Sequence, residues 1–292
     1  MWGQDTPREF RNGNNAAPNV YVGFEGAPGH QAGPLNGGAR GGYGSHPTYG
    51  GYDQMTARVG GLWDSLLGEG RRWWITATSD SHVHWTRGGS DFWPGEYSKT
   101  YVLARQDYAD IMDGLRNGRI WVTTGDLITS LDLTAGGQGK EAAVGETITV
   151  SRRQRTDVEI EIRFRPLDGV NHNGDRPEVR RVDLIVGEIT GPSADLDADT
   201  NPTTRVVGRF GPGTGASRAS TTSSSTHCAM CRPICTPASE APAPTRPSRS
   251  PTARSPRGRT CGSTRTRSSS TSGRAWRQLG PIRDRLCGPI RV

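Results

Sequence analysis

Trp73-Trp74-Ile75-Thr76-Ala77-Thr78-Ser79-Asp80-Ser81-His82 is an apolar, β-prone run that ends abruptly in Ser-Asp-Ser-His. Side chains alternate along a strand, so Asp80 and His82, two apart, project to one side as a carboxylate and an imidazole. A strand end that delivers this pair is suited to holding a cation. D-x-H is also common in surface loops, where Asp80 would cap a turn and His82 would face solvent, so the surroundings decide between the two.

Upstream, Gly60 to Gly70 places Leu62, Trp63, Leu66 and Leu67 at helical spacing, and Gly68 and Gly70 stop that helix. Downstream, Tyr108 to Leu115 has the pattern of a second amphipathic helix, closed by Asn117-Gly118, and Arg119 to Gly125 follows as a strand. Helix and strand alternating at this pitch predict a parallel α/β unit with its chemistry at the carboxyl ends of the strands.

The segments WDSLLGEGRRWWITATSDSH (63–82), PGEYSKTYV (94–102) and DIMDGLRNGRIWVTTGD (110–126) resemble the closing part of a PHP domain (polymerase and histidinol phosphatase type). They are most similar to the bacterial metal-dependent phosphoesterases and hydrolases of that group, which carry a β-rich C-terminal extension. The resemblance runs from Val20 to Phe210. It implies an α/β fold: the C-terminal part of a PHP-type distorted (β/α) barrel over 1–132, then a small, incomplete antiparallel β-sandwich-like domain over 133–211. S-D-S-H is the most specific motif and supplies two ligands of a multinuclear metal site in that family, so Asp80 and His82 are the matched ligands. Glu25 ends the strand-like Val20-Tyr21-Val22-Gly23-Phe24, where the family often places a glutamate ligand. His30 and His46 are looser candidates to complete the shell. Imidazole with carboxylate suits zinc, manganese or iron.

Two departures accompany the match. PHP domains begin with an H-x-H strand end, and none precedes Glu25; His82-Val83-His84 is the only such spacing, and its first member belongs to S-D-S-H. The chain is therefore expected to lack the first strands of the barrel and part of the ligand set. Beyond Phe210 the composition changes to Ser, Thr, Arg and Pro with hardly any apolar periodicity, which predicts a disordered stretch over 212–292. Reverse translation of Thr214 to Ser239 with G/C-favoured codons, shifted by a single nucleotide, permits DWGVEGVDDVVFDALRDVPADLYARV. The same shift of Thr252 to Thr271 permits DGEIPAGPDLWFYSNPIFVD, which resembles the terminal strand of the same family. The stretch is accordingly expected to be a frameshift product.

All five cysteines lie beyond Phe210, and Cys228-x-x-Cys231-x-x-x-Cys235 beside His227 has the look of a zinc cluster. In a shifted frame these thiols were never selected as ligands. Arg246, Arg249, Arg254, Arg257, Arg259, Arg265 and Arg267 suggest a nucleic-acid arm. No aromatic residue lies between Thr214 and Thr271 to stack on bases, so no specific nucleic-acid partner is expected. The net charge of +7 comes largely from this end and does not imply an anionic partner for the rest. No apolar stretch is long enough to span a bilayer and no signal peptide opens the chain, so no membrane partner is expected and the cytoplasm is favoured.

Between Leu127 and Phe210 the pattern turns to alternation. Val158-Glu159-Ile160-Glu161-Ile162-Arg163-Phe164 puts Val, Ile, Ile and Phe on one face, the signature of a half-buried strand. Val182 to Val186 and Arg205 to Val207 are further strands, with Gly136-Gly137 and Asn173-Gly174 as turns. Asp126 is expected to cap a turn, His172 to sit in one, and Gly33 to Gly51 to form a loop rather than a phosphate cradle. With the family resemblance, these residues imply a metal-dependent hydrolase of phosphoesters acting on a small-molecule substrate. The alternative is a chain without that activity, a noncatalytic remnant or a β-rich binding module.

Overall fold

Thr6-Pro7-Arg8-Glu9 carries the signature of a helix start, and α1 (Pro7–Ala16) begins there in the computed structural model. The model describes residues 5–27, 38–39, 47–49, 51–79, 93–151, 158–172, 174–211, 218–221, 228–237, 280–282 and 288–291. The Thr6 hydroxyl accepts from the Glu9 N–H while the Glu9 carboxylate accepts from the Thr6 N–H at 2.6 Å, a reciprocal capping box with Pro7 in the first turn. The inward face of α1 is Pro7, Phe10, Arg11 and Asn14.

Phe10 joins Leu62, Leu66, Leu67 and Trp73 in the first apolar core. The leucines come from α3 (Leu62–Gly68), at the helical spacing the sequence predicts. Trp73 is fully buried, with the rings of Tyr21, Phe10 and Phe24 at 5.2, 5.6 and 5.9 Å. It leads into β5 (Trp74–Thr76), which pairs in parallel with β1 (Gly23–Glu25) in the register Gly23↔Trp74, Phe24↔Ile75 and Glu25↔Thr76. Strands β2 (Gly38–Ala39), β3 (Pro47–Tyr49) and β4 (Tyr52–Asp53) form a small sheet leading to the single turn of α2 (Gln54–Ala57).

The expectation of a (β/α) barrel is not met. The strand β6 (Lys99–Val102), unmarked in the sequence reading, lies antiparallel against β7 (Ile120–Thr123) across the helix α4 (Tyr108–Asn117). β6 and β7 form a separate two-stranded antiparallel sheet, and no strand ladder joins β7 to the parallel β1–β5 pair as a barrel requires. The β1–β5 pair stays two-stranded, and the described residues hold only four helices among a majority of small, mostly antiparallel sheets. The α4 boundary itself was legible: Asp107 caps the amino end and Gly118, at φ 71°, closes the other.

The remaining chain is β-rich. Strand β8 (Ile128–Gly137) pairs with β9 (Lys140–Ala143) and with β11 (Val158–Pro166), and β10 (Thr147–Val150) lies beside them in the chain. The β8–β9 turn is Gln138-Gly139, both at positive φ, which suits a tight hairpin; Gly136-Gly137, expected to be the turn, belongs to the strand. Strand β12 (Val179–Glu188) pairs with β13 (Arg205–Phe210). Alternating Val158, Ile160 and Ile162 of β11 pack with Leu133 and Ala135 of β8 and with Val182, Leu184 and Val186 of β12 in a second core. Most of 212–292, where disorder is expected, lies outside the described residues; those described there are strands β14 (Arg218–Thr221), β15 (Cys228–Pro237), β16 (Gly280–Ile282) and β17 (Gly288–Arg291). β15 takes the free edge of β12, where Pro233, which has no N–H, costs no central ladder bond. Among the described residues no helix is long and apolar enough to cross a membrane.

Residues 189–204 fasten the β-rich part to α1 and α3. Thr190 N–H donates to the Gly68 carbonyl at 2.8 Å, and Asn201 N–H to that of Gly60 at 2.8 Å. The buried Asn201 amide donates to the Asp64 carbonyl at 3.1 Å, and its oxygen accepts from the Thr203 N–H at 3.0 Å. A Cβ on Gly68 would stand 2.4 Å from the Asn201 amide nitrogen, so glycine at 68 is what allows this approach. Asn201→Ala removes both of these side-chain hydrogen bonds at a buried position and should lower unfolding stability by about 1–3 kcal/mol. Thr200→Ala, at an exposed neighbour, should stay within about 0.5 kcal/mol. Urea unfolding of the two variants checks the pair.

Asp126 makes a second fastening. It is buried, accepts from Lys99 Nζ of β6, and accepts from His172 Nδ1 of the β11–β12 loop at 2.8 Å. Burial pushes its carboxyl pKa up, but the hydrogen bonds from Lys99 and His172 outweigh that and leave it below the ordinary value. A depressed folded pKa stabilises the fold above the unfolded pKa and ceases to do so as pH falls through the folded one. Asp126→Asn should therefore destabilise the chain by about 1–3 kcal/mol at pH 7. The gap to wild type should close below about pH 4, as urea midpoints across that range would show.

Candidate functional site

The carboxyl end of the β1–β5 pair is where the predicted ligands converge in sequence. Glu25 is the last residue of β1 and is exposed. Its carboxylate accepts from the Thr78 hydroxyl, two residues beyond the end of β5. Alternation along the strand puts Thr78 on the face expected for Asp80 and His82, while Ser79 between them is buried. One Glu25 oxygen is engaged by Thr78, and a carboxylate has lone pairs left for a second partner.

Several backbone contacts fix this edge. The Gly26 and Ala27 N–H groups both donate to the Thr76 carbonyl, at 3.1 and 3.2 Å, carrying the pairing past Glu25. Asp53 N–H donates to the Gly26 carbonyl at 3.1 Å, bringing the start of α2 alongside. Ala77 N–H donates to the Thr100 hydroxyl at 2.8 Å, and that hydroxyl donates back to the Ala77 carbonyl at 2.8 Å. At the opposite end, Trp74 Nε1 donates to the Arg116 carbonyl at 3.1 Å, just before β7 begins. β5 and β7 therefore run in the same direction. The carboxyl ends of β1, β5 and β7 and the start of β6 share one edge.

Of the predicted ligands, only Glu25 falls within the described residues; Asp80, His82, His30 and His46 lie outside them. Among the described residues there is no group of three or more His, Cys, Asp or Glu side chains placed to hold a metal. The sequence reading missed Thr78, although it lies on the same alternation as Asp80. It also missed Lys99, which sits in PGEYSKTYV, a segment quoted for family likeness with no role given to its charge.

A second polar cluster lies at the end of β7, close to the same edge. Gly125 and Asp126 follow β7 at φ 63° and 54°, and the Asp126 N–H donates to the carbonyl of Tyr97, itself at φ 56°. Asn171 donates its amide to the Gly125 carbonyl at 3.0 Å and accepts from Asp175 N–H at 2.9 Å. The Gly174 N–H donates to the Asn171 carbonyl at 2.9 Å, closing the turn expected there. His172 leaves that turn with its ring 44% exposed, Nδ1 on Asp126 and Nε2 at 3.9 Å from Glu96 Oε1. Asp126, expected as a turn cap, instead joins three segments of chain.

No protein-family model matches this chain, and no curated protein or solved structure matches it.

Proposed function

We propose that the chain is a metal-dependent hydrolase of phosphoesters, of the PHP phosphoesterase type, acting on a small-molecule substrate. The observation that carries this reading is the Glu25–Thr78 contact at the carboxyl edge of a parallel strand pair, two residues ahead of Asp80 in the S-D-S-H motif. Strand ends that present carboxylate and imidazole suit zinc, manganese or iron. Glu25 fits that donor set: it is exposed, held from one side by a hydroxyl, and placed on fixed backbone.

In this reading Glu25, Asp80 and His82 bind the cations, and His30 or His46 completes the shell. Thr78 acts through Glu25 by fixing the rotation of its carboxylate, as partners of metal ligands do. The Ala77–Thr100 exchange holds the end of β5, so Thr78 and the residues that follow start from a fixed point. When bound, divalent cations supply an acidified water and neutralise charge on the phosphoryl oxygens. The expected compartment is the cytoplasm, which cell fractionation checks.

The test is hydrolysis of an aryl phosphate by the full chain supplied in turn with zinc, manganese and ferrous iron. Turnover should be abolished by a chelator and restored by metal. Asp80→Asn and Glu25→Gln should each lower kcat/KM by about a hundredfold or more, as loss of a ligand exceeds the 10–100-fold effect of an outer partner. Thr78→Val should weaken metal affinity about tenfold and leave the fold intact. No turnover with any of the three metals, or full activity in Asp80→Asn, would overturn the proposal.

A further inference from the structure

Asp126 fixes the hydrogen-bonding role of one nitrogen of its neighbour's ring. An ionised carboxylate only accepts, so the 2.8 Å contact makes Nδ1 of His172 the donor. In the neutral ring the Nε2 lone pair is then left facing outward. What it faces is Glu96 Oε1 at 3.9 Å, a second acceptor. That separation is too long for a hydrogen bond. It is close to what one bound ion requires: two ligands at about 2.0–2.1 Å from a zinc ion lie at most about 4.1 Å apart, and closing by about 0.5 Å gives the tetrahedral spacing.

The rest of the cluster is arranged as a metal-binding imidazole usually is. A histidine ligand donates its other ring N–H to a carboxylate, which fixes the tautomer and the ring plane, and Asp126 does this from a buried position. Lys99 balances the Asp126 charge from the other carboxylate oxygen. Glu96 Oε2 accepts from the Trp93 N–H at 3.2 Å, so the Glu96 side chain folds over its own turn with Oε1 toward His172. The charged groups around the Nε2 position, Glu96, Asp126 and Lys99, sum to a single negative charge with neutral His172. Both prospective ligands are partly exposed, at 44% and 32%, so an ion and its waters have access.

We propose that His172 Nε2 and Glu96 Oε1 form a site for a borderline divalent transition ion, zinc above all, with Asp126 as the orienting carboxylate and water completing the shell. None of these residues belongs to the ligand set of the proposed hydrolase. Two protein ligands hold an ion more loosely than the four of a structural zinc site, so the ion here exchanges readily.

The test uses the full chain and Zn²⁺ alone, read by calorimetry and by imidazole ¹⁵N resonances. Zinc should shift the His172 Nε2 resonance in the wild-type chain. His172→Gln and Glu96→Gln should each weaken one binding step at least tenfold. Asp126→Asn should weaken the same step tenfold or more, because the ring loses the orienting carboxylate charge that raises its basicity. A purely structural latch would lower stability in these variants and leave zinc affinity unchanged, which overturns the proposal, as does an unperturbed His172 Nε2 in the wild-type chain. Asp80→Asn should leave the His172 signal intact. If that variant keeps its hydrolytic activity while the His172 step stands, the hydrolase reading fails and this site does not.

Discussion

The guanidinium of Arg11 is fully buried, and the arrangement of the amino-terminal half follows from satisfying it. Its Nε donates to Glu69 at 2.7 Å, one terminal nitrogen donates to the Ser65 hydroxyl at 3.1 Å, and the other donates to the Leu196 and Pro7 carbonyls at 3.0 and 3.3 Å. Those acceptors lie on α1, on α3 and its exit, and on the 189–204 segment. A buried cation without partners costs several kcal/mol, so displacing any one of the segments is penalised through Arg11. The net stability gained from such a pair is small; its effect is to fix geometry. Glu69 is shared with Arg71 at 2.7 Å, which ties the exit of α3 to the chain leading into Trp73.

From Trp73 the constraint passes to the carboxyl edge of the β1–β5 pair. With that ring locked among Phe10, Tyr21 and Phe24, β5 leaves the core in one direction, and β1 pairs alongside it in register. Gly23 is required at that pairing: a Cβ there would stand 2.1 Å from the Trp74 carbonyl oxygen. The register places Glu25 level with Thr76, and Thr78 then reaches it. The edge is built from the ends of β1, β5 and β7 with the start of β6, and the antiparallel β6 serves it as well as a parallel strand would, because Thr100 bridges to Ala77 through its side chain.

Local patterns were legible where one residue type settles a local choice. The leucine spacing of α3, the αL glycine after α4 and the alternation of β11 each follow from a single period or cap. The failure lay in partner choice. Lys99-Thr100-Tyr101-Val102 is short and mixed in polarity, and only its pairing with Ile120 to Thr123, stacked Tyr101 on Trp121 at 4.0 Å, makes it a strand. That pairing is nonlocal, and it leaves β7 in an antiparallel sheet of its own, apart from the β1–β5 ladder. α1 was overlooked although Thr6, Pro7 and Glu9 spell its start, since its only large apolar residue is Phe10 and its buried face includes Arg11 and Asn14. At the carboxyl edge, the strand-end position of Glu25 was legible, and Thr78 lay on the alternation that leads to Asp80; the Asp126–His172 pair depends on folding and had no local signature.

Position 126 shows how a backbone preference yields to a side-chain requirement. The φ of 54° favours glycine, and Gly125 before it already takes the same conformation. A non-glycine residue there costs about 1–3 kcal/mol, and Tyr97, whose carbonyl accepts from the Asp126 N–H, carries a similar cost at φ 56°. Glycine at 126 would relieve its own strain and leave Lys99 without its buried counter-charge and His172 without an acceptor. Aspartate tolerates the left-handed region better than most residues. It is thus a side chain that can both occupy this backbone position and accept from two cationic or polar partners on opposite sides. The strain persists because the carboxylate holds β6, the end of β7 and the 171–175 turn in one arrangement, and that arrangement sets the direction of the His172 ring.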